Sequence, residues 1–222
     1  MTHSLHRSGK FQEMDYVWLL YHVKGINDQD LVERLRQAIS MAEEAGTVNW
    51  GDVKTGGIVS LPSEEIKAKL TERSRIRGAF SSQEQVTQFL RKIRQADLGL
   101  CVIIAGLLDK VFQSCGEAGV KPHTVNYSLG IFGKKDLLPD NDTLAITTMC
   151  GHHMIPDGFV IEMRKKVQKG KIPPEKAAVD FATLCPCGIF NQERAAKLLR
   201  LLVTGGAQTE ATTDKEQSGS TS

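Results

Sequence analysis

Residues 98–133, LGLCVIIAGLLDKVFQSCGEAGVKPHTVNYSLGIFG, decide the fold class. Leu98 to Ala105 is an unbroken apolar run of strand length, ended by Gly106. Leu108, Val111, Phe112 and Cys115 then recur at helical spacing up to Gly119. Val125, Tyr127, Leu129 and Ile131 next alternate with polar or small residues, the period of a half-buried strand. Strand, helix and strand in so short a span is the βαβ rhythm. The chain is therefore expected to be an α/β protein, with a small mixed or parallel sheet and flanking helices.

Working outward, Tyr16 to Val23 (YVWLLYHV) reads as a strand, and a helix follows from near Asp28. Leu31, Leu35, Ile39 and Ala42 share one face of that helix, Asn27 or Asp28 can cap it, and Gly46 stops it. Ile58 to Leu61 is a short strand candidate ending at Pro62, and Ser63 opens a helix containing Ile66 and Leu70. The stretch Ser81-Ser82-Gln83-Glu84-Gln85 offers a capping box ahead of the stripe Val86, Phe89, Leu90 and Ile93. Beyond Pro139 the β signal stops, and 141–150, 156–169, 174–184 and 191–203 read as helices. The expected organisation is a flexible leader over 1–13, an α/β domain over 14–136, an all-helical Cys/His metal-binding module over 137–203 and a disordered tail over 204–222.

The 222 residues are 41% hydrophobic and 24% charged, near the globular average, which excludes collagen, long coiled coil and wholesale disorder. A net charge of +2 gives no field that demands nucleic acid or an anionic membrane. No apolar run approaches the roughly 18 residues of a membrane-spanning helix. The polar N-terminus lacks the apolar segment of an export signal, so a cytoplasmic protein with reduced thiols is expected.

Of five cysteines and six histidines, Cys150, His152, His153, Cys185 and Cys187 fall in the interhelical stretches MCGHHM and LCPCG. Thiolate and imidazole are ligands of zinc, iron and iron–sulfur centres, which need three or four donors converging from separate segments. The adjacent His152 and His153 point apart in any regular conformation. His152 is favoured, because a Cys-x-His pair can turn both donors inward across Gly151. Pro186 holds Cys185 extended, which turns the two thiols to one side. A helix capped by Asn191 aims its positive end at Cys187.

An iron–sulfur cluster on Cys150, Cys185 and Cys187 is expected, with a histidine or an external group at the fourth position. The alternatives are Cys3His zinc and a metal-free dithiol formed by Cys185 and Cys187. The tripeptide Cys185-Pro186-Cys187 resembles a stretch of the catalytic subunit of ferredoxin-thioredoxin reductase. The likeness stops at those three residues, and that family's further Cys pairs are missing here. An exposed cluster iron implies an oxidoreductase or lyase, with a small-molecule substrate or a redox protein as partner. Cys101 and Cys115 are read as ordinary apolar packing. The basic run Arg164, Lys165, Lys166, Lys169 and Lys171 is read as a solvated helix face, with nucleic acid an unlikely partner.

Overall fold

The computed structural model describes residues 6–203. It comprises, in chain order, β1 (Tyr16–Tyr21), α1 (Leu31–Glu44), β2 (Asn49–Asp52), β3 (Gly56–Gly57), α2 (Ser63–Ala68), β4 (Ile76–Phe80), α3 (Gln83–Ala96), β5 (Cys101–Ala105), α4 (Leu108–Ala118), α5 (Asn141–Thr147), α6 (Asp157–Gln168), α7 (Pro174–Thr183) and α8 (Gln192–Val203). The protein is thus mixed α/β. Among the described residues no helix is long and apolar enough to cross a membrane.

The strands form one sheet in the order β3-β2-β4-β1-β5, and every neighbouring pair is antiparallel. The expected parallel pairing is therefore corrected. The chain does make two β-α-β crossovers, β1-α1-β2 and β4-α3-β5, and the strands within each run parallel. Each crossover straddles a strand of the other, so parallel strands never become neighbours. This interleaving is the split β-α-β arrangement.

Two of the expected strands are also corrected. Residues 58–61 form turns, and the strands nearby are β2 and β3. Residues 120–133 form no strand at all, so the second strand of the deciding stretch is absent. Its first strand exists, as β5, but at the edge of the sheet and only half-buried.

Period-two alternation in β1 divides the core. Tyr16, Trp18 and Leu20 point to a cluster built from α1, α2, α3 and α4, where Trp18, Phe80 and Phe89 stack with ring centroids 5.4–6.1 Å apart. Val17 and Leu19 point to the opposite face, covered by Ile146, Met149, Val160, Phe181, Phe190 and Leu199 from the elements after residue 140. Helix starts follow sequence chemistry: Ser82 and Gln85 form the expected capping box on α3, and the Asp140 carboxylate accepts from the Thr143 N–H at the start of α5. Asn27 and Asp28 do not cap α1. They accept from the Val23 and Gly25 N–H groups and close the turn before it.

The leader is described from residue 6 onward, and that part is tied down. The Arg7 guanidinium pairs with Asp15 and donates to the carbonyls of Met149, at 2.7 Å, and Ile189. Residues 1–5 and the expected tail, 204–222, lie outside the described residues.

Candidate functional site: a buried cluster of three cysteines

Cys150 follows α5, and its N–H donates to the Thr147 carbonyl at 3.1 Å. Cys185 and Cys187 lie between α7 and α8 in a turn closed by the Gly188 N–H donating to the Cys185 carbonyl at 3.1 Å. Gly188 is indispensable to this turn. Its φ is +73°, and a Cβ there would stand 2.1 Å from the Trp50 carbonyl carbon. Asn49 of β2 adds a side-chain hydrogen bond to the Phe190 carbonyl at 2.9 Å. The cysteine turn is thereby seated on the strand.

The turn leads into α8, where Asn191 accepts from the Arg194 N–H at 2.9 Å, as a helix cap does. Its amide donates to the Met14 carbonyl at 2.7 Å. Arg194, fully buried, pairs with Asp15 at 2.7 Å and donates to the Lys10 carbonyl. Asp15 therefore lies between two guanidiniums, Arg194 and Arg7. Because Arg7 also holds the Met149 and Ile189 carbonyls, one side chain ties both cysteine-bearing segments to the start of β1. Sequence reasoning missed this triad. The signal was a charge at Arg194 amid the stripe Asn191, Ala195 and Leu199.

All three sulfurs are buried. The Cys185 and Cys187 sulfurs are 3.7 Å apart, and the Cys150 thiol interacts with that of Cys185. His152 Nδ1 is 3.5 Å from the Cys187 sulfur, and its Nε2 is 3.1 Å from a guanidinium nitrogen of Arg77 on β4. The structure thus brings together Cys150, His152, Cys185 and Cys187. His153 stands apart, at φ +55° and exposed, its N–H donating to the Cys150 carbonyl at 3.0 Å. Cys101 lies half-buried on β5, and Cys115 of α4 is buried in the core on the face of Trp18.

Compared with known families, curated proteins and solved structures, the chain matches none. The chemistry must be read from the cluster itself.

The hydrogen bond from Cys185 lowers the Cys187 thiol to about 5, against the opposing effect of burial. The Ile189 N–H, His152 and Arg77 add to the lowering. The bond with Cys185 likewise lowers Cys150 to about 6, helped by the Met154 and His152 N–H groups. Cys185, the shared donor, is pushed far up by its two sulfur partners and by burial. The result is two thiolates held around one retained proton. Among the described residues no group of three or more His, Cys, Asp or Glu side chains stands placed to hold a metal ion. Two surface grooves, between α3 and α4 and between α1 and α3, are lined by Arg94 and Glu117 and by Arg36 and Glu44, on the opposite face of the sheet.

The basic run on α6 departs in part from its reading as a solvated face. Arg164 is largely covered and binds Asp140, Asp142 and Thr143 at the start of α5. Lys166 pairs with Glu162 at 2.6 Å, at the surface.

Proposed function

We propose that the protein binds a single tetrahedral metal ion, zinc, through Cys150, Cys185, Cys187 and His152 Nδ1, as a structural centre. The spacing of the donors carries this reading. Around a tetrahedral zinc, with bonds of about 2.3 Å to sulfur and 2.0 Å to nitrogen, two sulfurs stand about 3.8 Å apart and a sulfur and a nitrogen about 3.6 Å. Here Cys185 and Cys187 stand 3.7 Å apart, and Cys187 and His152 Nδ1 3.5 Å. The thiols are also close to the right protonation. Two of the thiols already favour thiolate, so binding must expel the proton on Cys185 and free His152 Nδ1, whose proton moves to Nε2 as Arg77, able only to donate, turns away from it.

In a four-iron cluster each cysteine takes a different iron and the sulfurs diverge from the corners of a cube. Cys185 and Cys187 are too close together for that without rearrangement. One observation favours an iron–sulfur cluster as the second reading: His152 is exposed while the three sulfurs are buried, which leaves the fourth position facing solvent. That arrangement suits an exposed iron with a small-molecule substrate or a redox protein as partner. A structural zinc would instead pin the two interhelical turns against β2 and β4.

Metal and acid-labile sulfide analysis with a visible spectrum, on protein purified without oxygen, tests the proposal. One zinc per chain in a colourless protein is the expected result. Brown protein with iron and sulfide would replace zinc by the cluster. Metal-free protein whose Cys185 and Cys187 cycle with a mild oxidant would leave the dithiol reading.

A further inference from the structure

The edge strand β5 and the segment 124–132 show complementary defects. Among the described residues β5 pairs only with β1, so the outer row of its backbone N–H and C=O groups has no strand partner there. Its sequence, CVIIA, carries none of the lysines or prolines that usually protect an edge, and all five residues are only half-buried. Residues 124–132, TVNYSLGIF, have the alternation of a strand but pair with nothing. Tyr127, Leu129 and Phe132 are 70%, 80% and 78% exposed, with Val125 and Ile131 also exposed. Leu108 and Phe112 of α4, the helix between the two, are exposed as well. Apolar exposure on this scale marks a protein contact.

We propose that 124–132 of one copy adds as a strand to the outer edge of β5 in a second copy, and reciprocally, giving a symmetric strand-exchanged dimer. Charge identifies the partner. The first charged residues flanking β5 are Asp97 and Asp109, each four positions from the strand. Those flanking Val125–Ile131 are Lys121 and Lys134. Acid therefore faces base at both ends of the added strand, whichever its direction. All four are exposed, and none enters an ion pair with another side chain among the described residues. Within one copy the segment lies away from β5, with the Ser128 hydroxyl 3.5 Å from His6 Nδ1. A two-fold interface satisfies edge and segment together in both copies.

Charge swapping tests this in the full-length chain. The unaltered protein is expected to sediment as a dimer. One variant carries Asp97→Lys and Asp109→Lys, so that all four flanks are basic. The other carries Lys121→Glu and Lys134→Glu, so that all four are acidic. Each alone should dimerise on the order of tenfold more weakly, and an equimolar mixture should recover the dimer as a heterodimer. A monomeric unaltered protein, swapped chains that dimerise undiminished, or a mixture that fails to recover would each overturn the proposal. The last outcome would be that of a strand added within one chain. Tyr127→Asp with Leu129→Asp provides an independent check: loss of the dimer with an unchanged circular dichroism spectrum is expected, and an intact dimer would contradict it.

Discussion

The two faces of β1 are closed by different physics. On the face of Trp18, stacked aromatic rings and the apolar sides of α1 and α3 make a core that, among the described residues, has no buried ion pair and one cysteine, Cys115, whose thiol is pushed up by burial. On the face of Val17 and Leu19, the core holds three cysteines, two of them pulled down toward thiolate, beside a fully buried Arg194 paired with Asp15. The same residue type thus titrates in opposite directions across one sheet. Burial alone keeps a cysteine protonated, whereas burial with donors aimed at the sulfur favours the thiolate.

The variants that break or sharpen this contrast are ordered by expected effect. Cys187→Ser should release the ion and loosen the helices from α5 to α8, since a structural ion contributes on the order of 10 kcal/mol. Metal stoichiometry and limited proteolysis check it, and a variant that keeps its full metal would remove Cys187 from the site. Phe89→Ala opens the aromatic stack and should cost about 4 kcal/mol by denaturant unfolding, with metal content unchanged. Arg194→Met leaves Asp15 buried with only Arg7 and should cost about 3 kcal/mol; an unchanged midpoint would show the triad to be dispensable.

Cys115→Ala should cost about 1 to 2 kcal/mol and leave every metal property unchanged, which separates packing cysteines from ligand cysteines. Smallest is Asp140→Ala, about 1 kcal/mol from the lost cap on α5. Burial pushes the Asp140 carboxyl up, but the Thr143 hydroxyl and N–H and Arg164 outweigh it and hold the carboxyl below 3.8. Its contribution is therefore complete above pH 3.8 and is lost as the pH falls through the depressed folded value. Melting curves of the two proteins should differ at neutral pH and converge in acid. A gap that persists under strongly acidic conditions would reject the assignment.

Legibility followed how local the cause was. β1, α1, α3 and the helices after residue 140 were readable because their periodicity lies within the elements themselves. β2 (NWGD) and β4 (IRGAF) were not, because each carries a glycine that counts against a strand. Gly78 is there because Trp18 lies across it: a Cβ would stand 2.5 Å from the indole ring. Register brings the two together, as Trp18 and Gly78 are paired partners. Residues 124–132 failed in the opposite direction, having strand periodicity without a neighbour to pair with.

The same division holds for the cluster. By itself the sequence determined that Cys150, His152, His153, Cys185 and Cys187 were unusual in number and placement, and that the chain was α/β, because ligand type and hydrophobic period are properties of residues along a line. Only the tertiary structure decided that His152 rather than His153 meets Cys187, that Cys185 lies against Cys187, and that Arg7 and Arg194 clamp Asp15 across some 180 residues. Hydrogen-bond direction, strand neighbours and buried charge pairing depend on distances between segments remote in sequence, and those are fixed only when the faces of the sheet are covered.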